Sequence, residues 1–185
     1  MNNQKTKAKL NKTPLTEPIS EFKKHRRHLP HFQSPNAIYF ITTRCCQARR
    51  LTYEDLDIVL NSIKYLDGEK YILYAAVVLP DHFHIIIQPL EKKKSAYYSV
   101  SEIMHSIKSF SAHKIIKLNK RRSNVSFDNS IENKYMDQIW QHENFDRIIR
   151  NEKEFEIKID YIMNNPVDAG LVEYPDEYKW LYVGE

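Results

Sequence analysis

Two histidines separated by one residue, His82 and His84, lie in the apolar run 76–87. Side chains alternate between the two faces of a β-strand, so both imidazoles should point the same way while Phe83 points into a core. Two imidazoles on one strand face can hold a metal ion. The alternative is a pair of partly buried histidines hydrogen-bonded to backbone or carboxylate groups, and the sequence leaves both interpretations open.

A tyrosine and an amide, Tyr161 and Asn165, are four residues apart near the C-terminus. On a helix of about 100° per residue, Tyr161 falls outside the apolar arc and shares a polar flank with Asn165 and Lys158. A tyrosine hydroxyl has an ordinary pKa of about 10 and is a weak nucleophile until it is activated. The two segments together suggest a metal-assisted tyrosine nucleophile; the alternative is an amphipathic tyrosine at the edge of the core.

The composition restricts the class of protein. A chain of 185 residues with 42% hydrophobic content is long enough for one domain with its own core. The net charge of +4 permits a nucleic-acid partner. The cysteines are the adjacent pair Cys45 and Cys46, which favours a reducing compartment and a buried or inert role. Without a long apolar run, we expect a soluble cytoplasmic protein that has no membrane partner; if its nucleic-acid partner is DNA, it would associate with the nucleoid when bound.

The charge pattern divides the chain in two. Residues 1–30 are predicted to be a basic, flexible arm, and residues 31–185 a single domain. The arm has no apolar periodicity, so it is either a solvated tail or a phosphate-contacting segment. The lysines and arginines that define it are Lys5, Lys7, Lys9, Lys12, Lys23, Lys24, Arg26 and Arg27.

Hydrophobic periodicity predicts the order β-α-β-β-α-β-α. Its first six elements match the ferredoxin-like split βαβ pattern, an α+β fold with an antiparallel sheet, to which a C-terminal helix carrying the tyrosine is added. Pro166 is expected to stop that helix at Asn165. The predicted strands cover 37–43, 71–79, 83–88 and 145–149, and the predicted helices cover 53–66, 100–118 and 152–164.

Several further side chains are candidates for DNA contact. Lys120, Arg121 and Arg122 lie in the stretch 119–134, which is predicted to be irregular. They belong either to a solvated loop or to a site of phosphate contact. Trp140 and Phe145 are interpreted as core residues in preference to base-stacking platforms. The DNA-binding candidates are Lys120, Arg121, Arg122, Arg147, Arg150 and Lys158.

The motifs resemble a known family. The run 78–84, Val-Leu-Pro-Asp-His-Phe-His, resembles the HUH motif of single-tyrosine transposases, in which two histidines flank a bulky hydrophobic residue. The runs 140–151 and 160–172 resemble the C-terminal half of REP-associated tyrosine transposases. The stretch 119–134 looks longer and more polar than is usual there, and the lysine-rich start has no clear counterpart.

The resemblance implies a mechanism. Tyr161 would be the nucleophile, and His82, His84 and Asn165 would bind Mg²⁺ or Mn²⁺. The activity implied is cleavage and strand transfer of single-stranded or hairpin DNA, including repetitive palindromic elements, through a covalent phosphotyrosine. A monomer is favoured over a dimer.

Two other function classes stay open. A catalytically silent descendant would bind DNA hairpins without cleaving them. A ferredoxin-like RNA-binding domain would instead carry exposed aromatic residues on its sheet face and no histidine pair there.

Overall fold

A five-stranded antiparallel sheet organises the chain. The structure is a computed structural model that describes residues 23–25, 31–33, 36–46, 49–92, 96–123 and 138–184. A separate two-stranded sheet, β1 and β2, precedes the main one. The strands are β1 (Lys23–His25), β2 (His31–Gln33), β3 (Ile38–Arg44), β4 (Tyr71–Val78), β5 (His82–Pro89), β6 (Phe145–Ile149) and β7 (Leu181–Val183).

The strand order of the main sheet is β6-β3-β5-β4-β7. The four strands from β3 to β6, with the helices between them, form the predicted ferredoxin-like split βαβ arrangement, so the α+β fold class is confirmed. The helices are α1 (Tyr53–Tyr65), α2 (Val100–Ser123) and α3 (Glu152–Asp168), and a 3₁₀ turn covers Pro175–Glu177.

The helices begin where capping residues predict. Thr52 accepts a hydrogen bond from the Asp55 backbone N–H, and the Asp55 carboxylate accepts one from the Thr52 N–H, which is a complete capping box for α1. The Asn151 side chain accepts from the backbone N–H of Glu154 at 2.8 Å and caps α3. These local contacts fix the start of both helices.

One sheet face is covered by the apolar core. Phe83, Ile85 and Ile87, at alternate positions of β5, are fully buried. The Phe83 ring meets the Trp140 ring edge-on at 5.1 Å, and the Trp140 indole N–H donates to the Ser111 hydroxyl of α2 at 3.0 Å. The face that carries Phe83 is therefore turned towards α2, and the interpretation of Trp140 as a core residue is confirmed.

The opposite face is covered in part by α3. This helix packs against β4, β5 and β7. Its buried residues include Ile162, and its first turn is tied to β6 by an ion pair of 2.8 Å between Arg147 and Glu154. This ion pair joins the edge strand to the helix that carries Tyr161.

Pro166 does not stop α3. The helix continues through Asn165 and Pro166 to Asp168, so the predicted end was wrong. Ala169 caps the helix, and Gly170 follows with φ +66°. A left-handed residue of this kind ends a helix regardless of the preceding proline, whose missing N–H removes one hydrogen bond in the last turn.

The second helix is longer than predicted. It extends beyond residue 118 to Ser123, so Lys120, Arg121 and Arg122 lie on its last turns and not in a loop. Arg122 forms an ion pair with Glu54 in the first turn of α1. Positive side chains at a helix C-terminus are favourable because they offset the helix dipole, which the loop prediction ignored.

Two short strand pairings were not predicted. β7 pairs antiparallel with β4 and extends the sheet by one strand. β1 pairs antiparallel with β2, so backbone pairing crosses the expected boundary at residue 30. The rest of the basic arm lies outside the described residues. Strands of three residues carry too little alternation for a sequence pattern to detect.

Within the described part of the chain, no helix is both long enough and apolar enough to cross a membrane.

Candidate active site

His82 and His84 share one face of β5, as alternation predicts. Their ring centroids are 4.8 Å apart, with the ring planes at 79°. His84 is buried and His82 is half-buried. Phe83 between them points to the opposite face.

Each imidazole is held through its Nδ1 atom. His82 Nδ1 lies 2.7 Å from Asp81 Oδ1, and His84 Nδ1 lies 2.8 Å from the hydroxyl of Thr42 on β3. The Nε2 atom of His84 is buried and has no hydrogen-bond partner among the described residues. Histidines that bind metal through one nitrogen usually hydrogen-bond through the other, so this arrangement suits a metal ion at Nε2.

Burial keeps His84 neutral. Burial, together with the nearby positive charges of His82, Arg44 and Lys158, lowers the pKa of His84 from its ordinary value of 6.5 to about 3. A neutral imidazole is the form that binds metal. Burial raises the pKa of the Asp81 carboxyl, but the hydrogen bond and charge of His82, a backbone hydrogen bond and the charge of Arg50 together hold that pKa below its ordinary value.

Tyr161 reaches the histidine face from α3. Its ring centroid lies 5.2 Å from that of His84 and 5.8 Å from that of Phe40, in both cases edge-on. The tyrosine is 42% exposed, so a substrate can reach it. Lys158, one turn earlier, places its ammonium 4.6 Å from the Phe40 ring centroid and 5.3 Å from that of Tyr161. The structure therefore brings together Tyr161, Lys158 and the histidine pair.

Asn165 lies one turn beyond Tyr161 and is buried, not on an open flank as the helix geometry had suggested. The described residues contain no group of three or more His, Cys, Asp or Glu side chains placed to hold a metal ion. A third protein ligand beside the two imidazoles would therefore have to be of another type. The amide oxygen of Asn165 is the candidate that the sequence provides, and imidazole with amide oxygen suits Mn²⁺.

Arg44 is a site residue that the sequence analysis missed. It is exposed, and it pairs with His82 in the register between β3 and β5. Thr42, whose hydroxyl is hydrogen-bonded to His84, was also missed. Both residues enter the site through the register between β3 and β5, which joins segments some forty residues apart. The alternating polar pattern Thr42-x-Arg44 was the available signal.

The predicted DNA-binding residues fall in two places. Arg147 pairs with Phe40 in register, and Phe40 stacks on His84 at 5.3 Å, so Arg147 and Lys158 both belong to the histidine face. Arg150 is exposed between β6 and α3, and its backbone N–H donates to Glu154. In contrast, α2 packs behind the opposite face and carries the basic cluster at its C-terminal end. That cluster consists of Lys120, Arg121 and Arg122.

The two cysteines lie outside this arrangement. Burial raises the pKa of Cys45 to about 12, and burial also raises the pKa of Cys46. Both thiols are therefore poor nucleophiles and poor metal ligands at neutral pH.

Known proteins resemble this chain in sequence and in fold. No family model matches it. A curated protein of Haemophilus influenzae, which carries the provisional name REP-associated tyrosine transposase, is 26% identical over 107 residues, or 57% of this chain. The match spans 55% of that relative, about half its length.

A solved structure shares the fold. It is described as a REP-associated tyrosine transposase bound to a REP hairpin, with a TM-score of 0.59 and 21% identity, and the match covers 86% of this chain and 81% of the other. The resemblance to REP-associated tyrosine transposases that the sequence motifs indicate is therefore confirmed.

Proposed function

We propose that this chain is a metal-dependent DNA endonuclease and strand transferase that cleaves single-stranded or hairpin DNA through a covalent phosphotyrosine. The observation that carries the proposal is the position of the Tyr161 ring, 5.2 Å from that of His84, whose buried Nε2 lacks a partner among the described residues. A nucleophile beside a candidate metal ligand with an unpartnered nitrogen is an arrangement that suits metal-assisted attack on a phosphodiester.

The proposed reaction has two steps, cleavage of the strand and its later rejoining. The Tyr161 oxygen attacks the scissile phosphorus and forms a new P–O ester, while the bond to the 3′-oxygen breaks. The Tyr161 hydroxyl gives up its proton as it attacks, and the leaving 3′-oxygen takes up a proton and is released as a hydroxyl. Because the phosphate stays esterified throughout, attack by a 3′-hydroxyl can later displace Tyr161 and rejoin DNA without ATP.

The protein groups would share the electrostatic work. His82, His84 and Asn165 would hold Mg²⁺ or Mn²⁺, which when bound polarises a non-bridging phosphate oxygen. The Lys158 ammonium lies 5.3 Å from the centroid of the Tyr161 ring and would supply a positive charge near the attacked phosphate, where negative charge develops. His84, neutral because it is buried, keeps its Nε2 lone pair available.

The proposed partner is hairpin DNA, including repetitive palindromic elements. Its support is the solved structure of similar fold, which is described as bound to a REP hairpin. Tyr161 and the histidines meet within one chain, so one copy can supply both nucleophile and metal ligands. We therefore propose a monomer in which Tyr161 acts in cis.

The test is capture of the covalent intermediate. Labelled hairpin DNA with single-stranded flanks is incubated with the protein and Mn²⁺, and the adduct is sought after denaturation. Tyr161→Phe removes only the hydroxyl and is expected to abolish the adduct while hairpin binding stays within about twofold. The matched control is Tyr65→Phe, an exposed tyrosine on α1 that should form the adduct normally.

The result also decides between the proposal and its alternative. Full adduct formation by Tyr161→Phe would refute the assignment of the nucleophile. Hairpin binding by the wild type without an adduct, in both Mn²⁺ and Mg²⁺, would instead identify a catalytically silent hairpin-binding protein.

A further inference from the structure

The histidine face has a part that α3 leaves open. The helix packs mainly against β4, β5 and β7, and it also reaches Phe40 of β3 through Tyr161 and Lys158 and Arg147 of β6 through Glu154. Phe145, at the start of the edge strand β6, is 59% exposed, so its interpretation as a core residue was wrong. A large exposed aromatic ring therefore lies at the edge of the sheet that carries the candidate active site.

The strand register places Phe145 on the histidine face. Phe145 pairs with Thr42, and Thr42 pairs with His84 on the other side of β3. Directly paired residues of neighbouring strands point to the same face with Cβ atoms about 5 Å apart. The hydrogen bond between Thr42 and His84 confirms the shared orientation. Phe145 is thus in line with the histidine pair, two strands away.

Positive charge surrounds this ring. Arg147 lies two residues along β6 on the same face, with its side chain 53% exposed. Arg44 is exposed on β3 and pairs with His82. Two carboxylates on this side are engaged, Glu154 by Arg147 and Asp81 by His82. The open part therefore combines an accessible aromatic ring with guanidinium groups, which matches a base and its phosphate.

We propose that Phe145 is the stacking platform for one base of single-stranded DNA beside the scissile phosphate, with Arg44 and Arg147 along the sugar–phosphate backbone. This subsite rests on the proposed function, because it takes the histidine face as the place where DNA is cut. It assigns Phe145 as the residue that positions the strand across the site. Stacking tolerates any base, so the subsite fixes the path of the strand more than its sequence.

The test measures binding, not cleavage. In a Tyr161→Phe background, a DNA hairpin carrying a ten-nucleotide single-stranded tail on its 5′ or 3′ side is titrated by fluorescence anisotropy. Each tail nucleotide is replaced in turn by an abasic one. Phe145→Ala should weaken binding of the intact tail by about 5- to 100-fold, the usual cost of losing one stacked base.

At one abasic position, Phe145→Ala should cause no further loss of affinity. If Phe145 stacks on a particular base, removing the base weakens wild-type binding by a similar factor and makes Phe145→Ala harmless. Phe145→Trp should retain binding, and Phe145→Leu should lose most of it. Tyr65→Ala, which removes an exposed aromatic residue on α1, should leave the affinity unchanged.

The opposing outcomes are distinct from failure of the proposed function. Unchanged binding by Phe145→Ala, or an equal loss at every abasic position, would overturn the subsite. Tighter wild-type binding to the same tail made of RNA would overturn the assignment to DNA. The adduct assay, by contrast, reports on Tyr161 whether or not a base stacks on Phe145.

Discussion

The two faces of β5 carry different kinds of side chain, apolar on one and histidine on the other. One face presents Phe83, Ile85 and Ile87, all fully buried in the apolar core. The other presents His82 and His84, whose Nδ1 atoms are hydrogen-bonded, and the ring of His84 contacts those of Tyr161 and Phe40. Strand alternation thus lets one segment serve as the centre of the core and the floor of the candidate site. The difference implies that stability and chemistry can be disrupted separately by changing neighbouring residues.

The largest expected contrast is between Phe83 and His84. Phe83→Ala should lower the free energy of unfolding by about 3–5 kcal/mol, because it leaves a cavity in a fully buried position. His84→Gln keeps a polar side chain of comparable length and should change that free energy by about 1 kcal/mol or less, yet abolish the covalent adduct. Urea denaturation and the adduct assay measure the two effects.

A milder core variant controls for general damage. Phe83→Leu retains most of the apolar volume and should still form the adduct at a temperature where it is folded. An adduct formed at the wild-type rate by His84→Gln would remove the histidine from the chemistry and break the contrast between the faces.

The same contrast predicts a pH effect. The pKa of His84 falls from 6.5 to about 3 on folding, so below pH 6.5 the unfolded chain takes up a proton that the folded chain refuses. As the pH is lowered from 6.5 to 5, the free energy of unfolding of the wild type should therefore fall by about 2 kcal/mol relative to that of His84→Gln. Urea denaturation with chelator present, from pH 7.5 to pH 4.5, measures the difference. Parallel stability curves for the two proteins would show that His84 titrates normally.

Much of this architecture can be predicted from local sequence. The alternation around Phe83 gives the shared face of the histidines, and Thr52 and Asn151 mark the starts of α1 and α3. These features depend on residues close together in the chain. The order β-α-β-β-α-β-α then restricts the fold to the ferredoxin-like pattern.

The features that the sequence analysis did not predict depend on contacts between residues far apart in the chain. Thr42 and Arg44 enter the site only through the β3–β5 register, which no local pattern encodes. Phe145 was interpreted as a core residue because it is a large apolar side chain on a predicted strand, but it lies on the edge strand β6 and is exposed. The predicted end of α3 at Asn165 was wrong because the end of a helix depends on a residue such as Gly170 as well as on the proline.

The finest contrast lies between two neighbouring threonines of β3. Thr42 hydrogen-bonds to His84 Nδ1 at 2.8 Å, whereas Thr43, on the opposite face, donates to Asn144 Oδ1 at 3.0 Å. Thr42→Val removes the hydroxyl that orients the imidazole and should weaken Mn²⁺ affinity by about 10- to 100-fold, as is usual for partners of metal-binding histidines.

Thr43→Val makes the same chemical change on the core side. It should lower the free energy of unfolding by about 1–3 kcal/mol, because the Thr43 hydroxyl is a partner of Asn144 on that buried side, and leave Mn²⁺ affinity intact. Titration of Mn²⁺ by calorimetry, together with the Mn²⁺ dependence of adduct formation, separates the two variants. Saturating Mn²⁺ should restore the adduct in Thr42→Val, since the hydroxyl acts through the histidine and touches no reacting atom. Equal metal affinities for the two valine variants would mean that Thr42 has no part in orienting His84, and that the two faces of β3 differ only in burial.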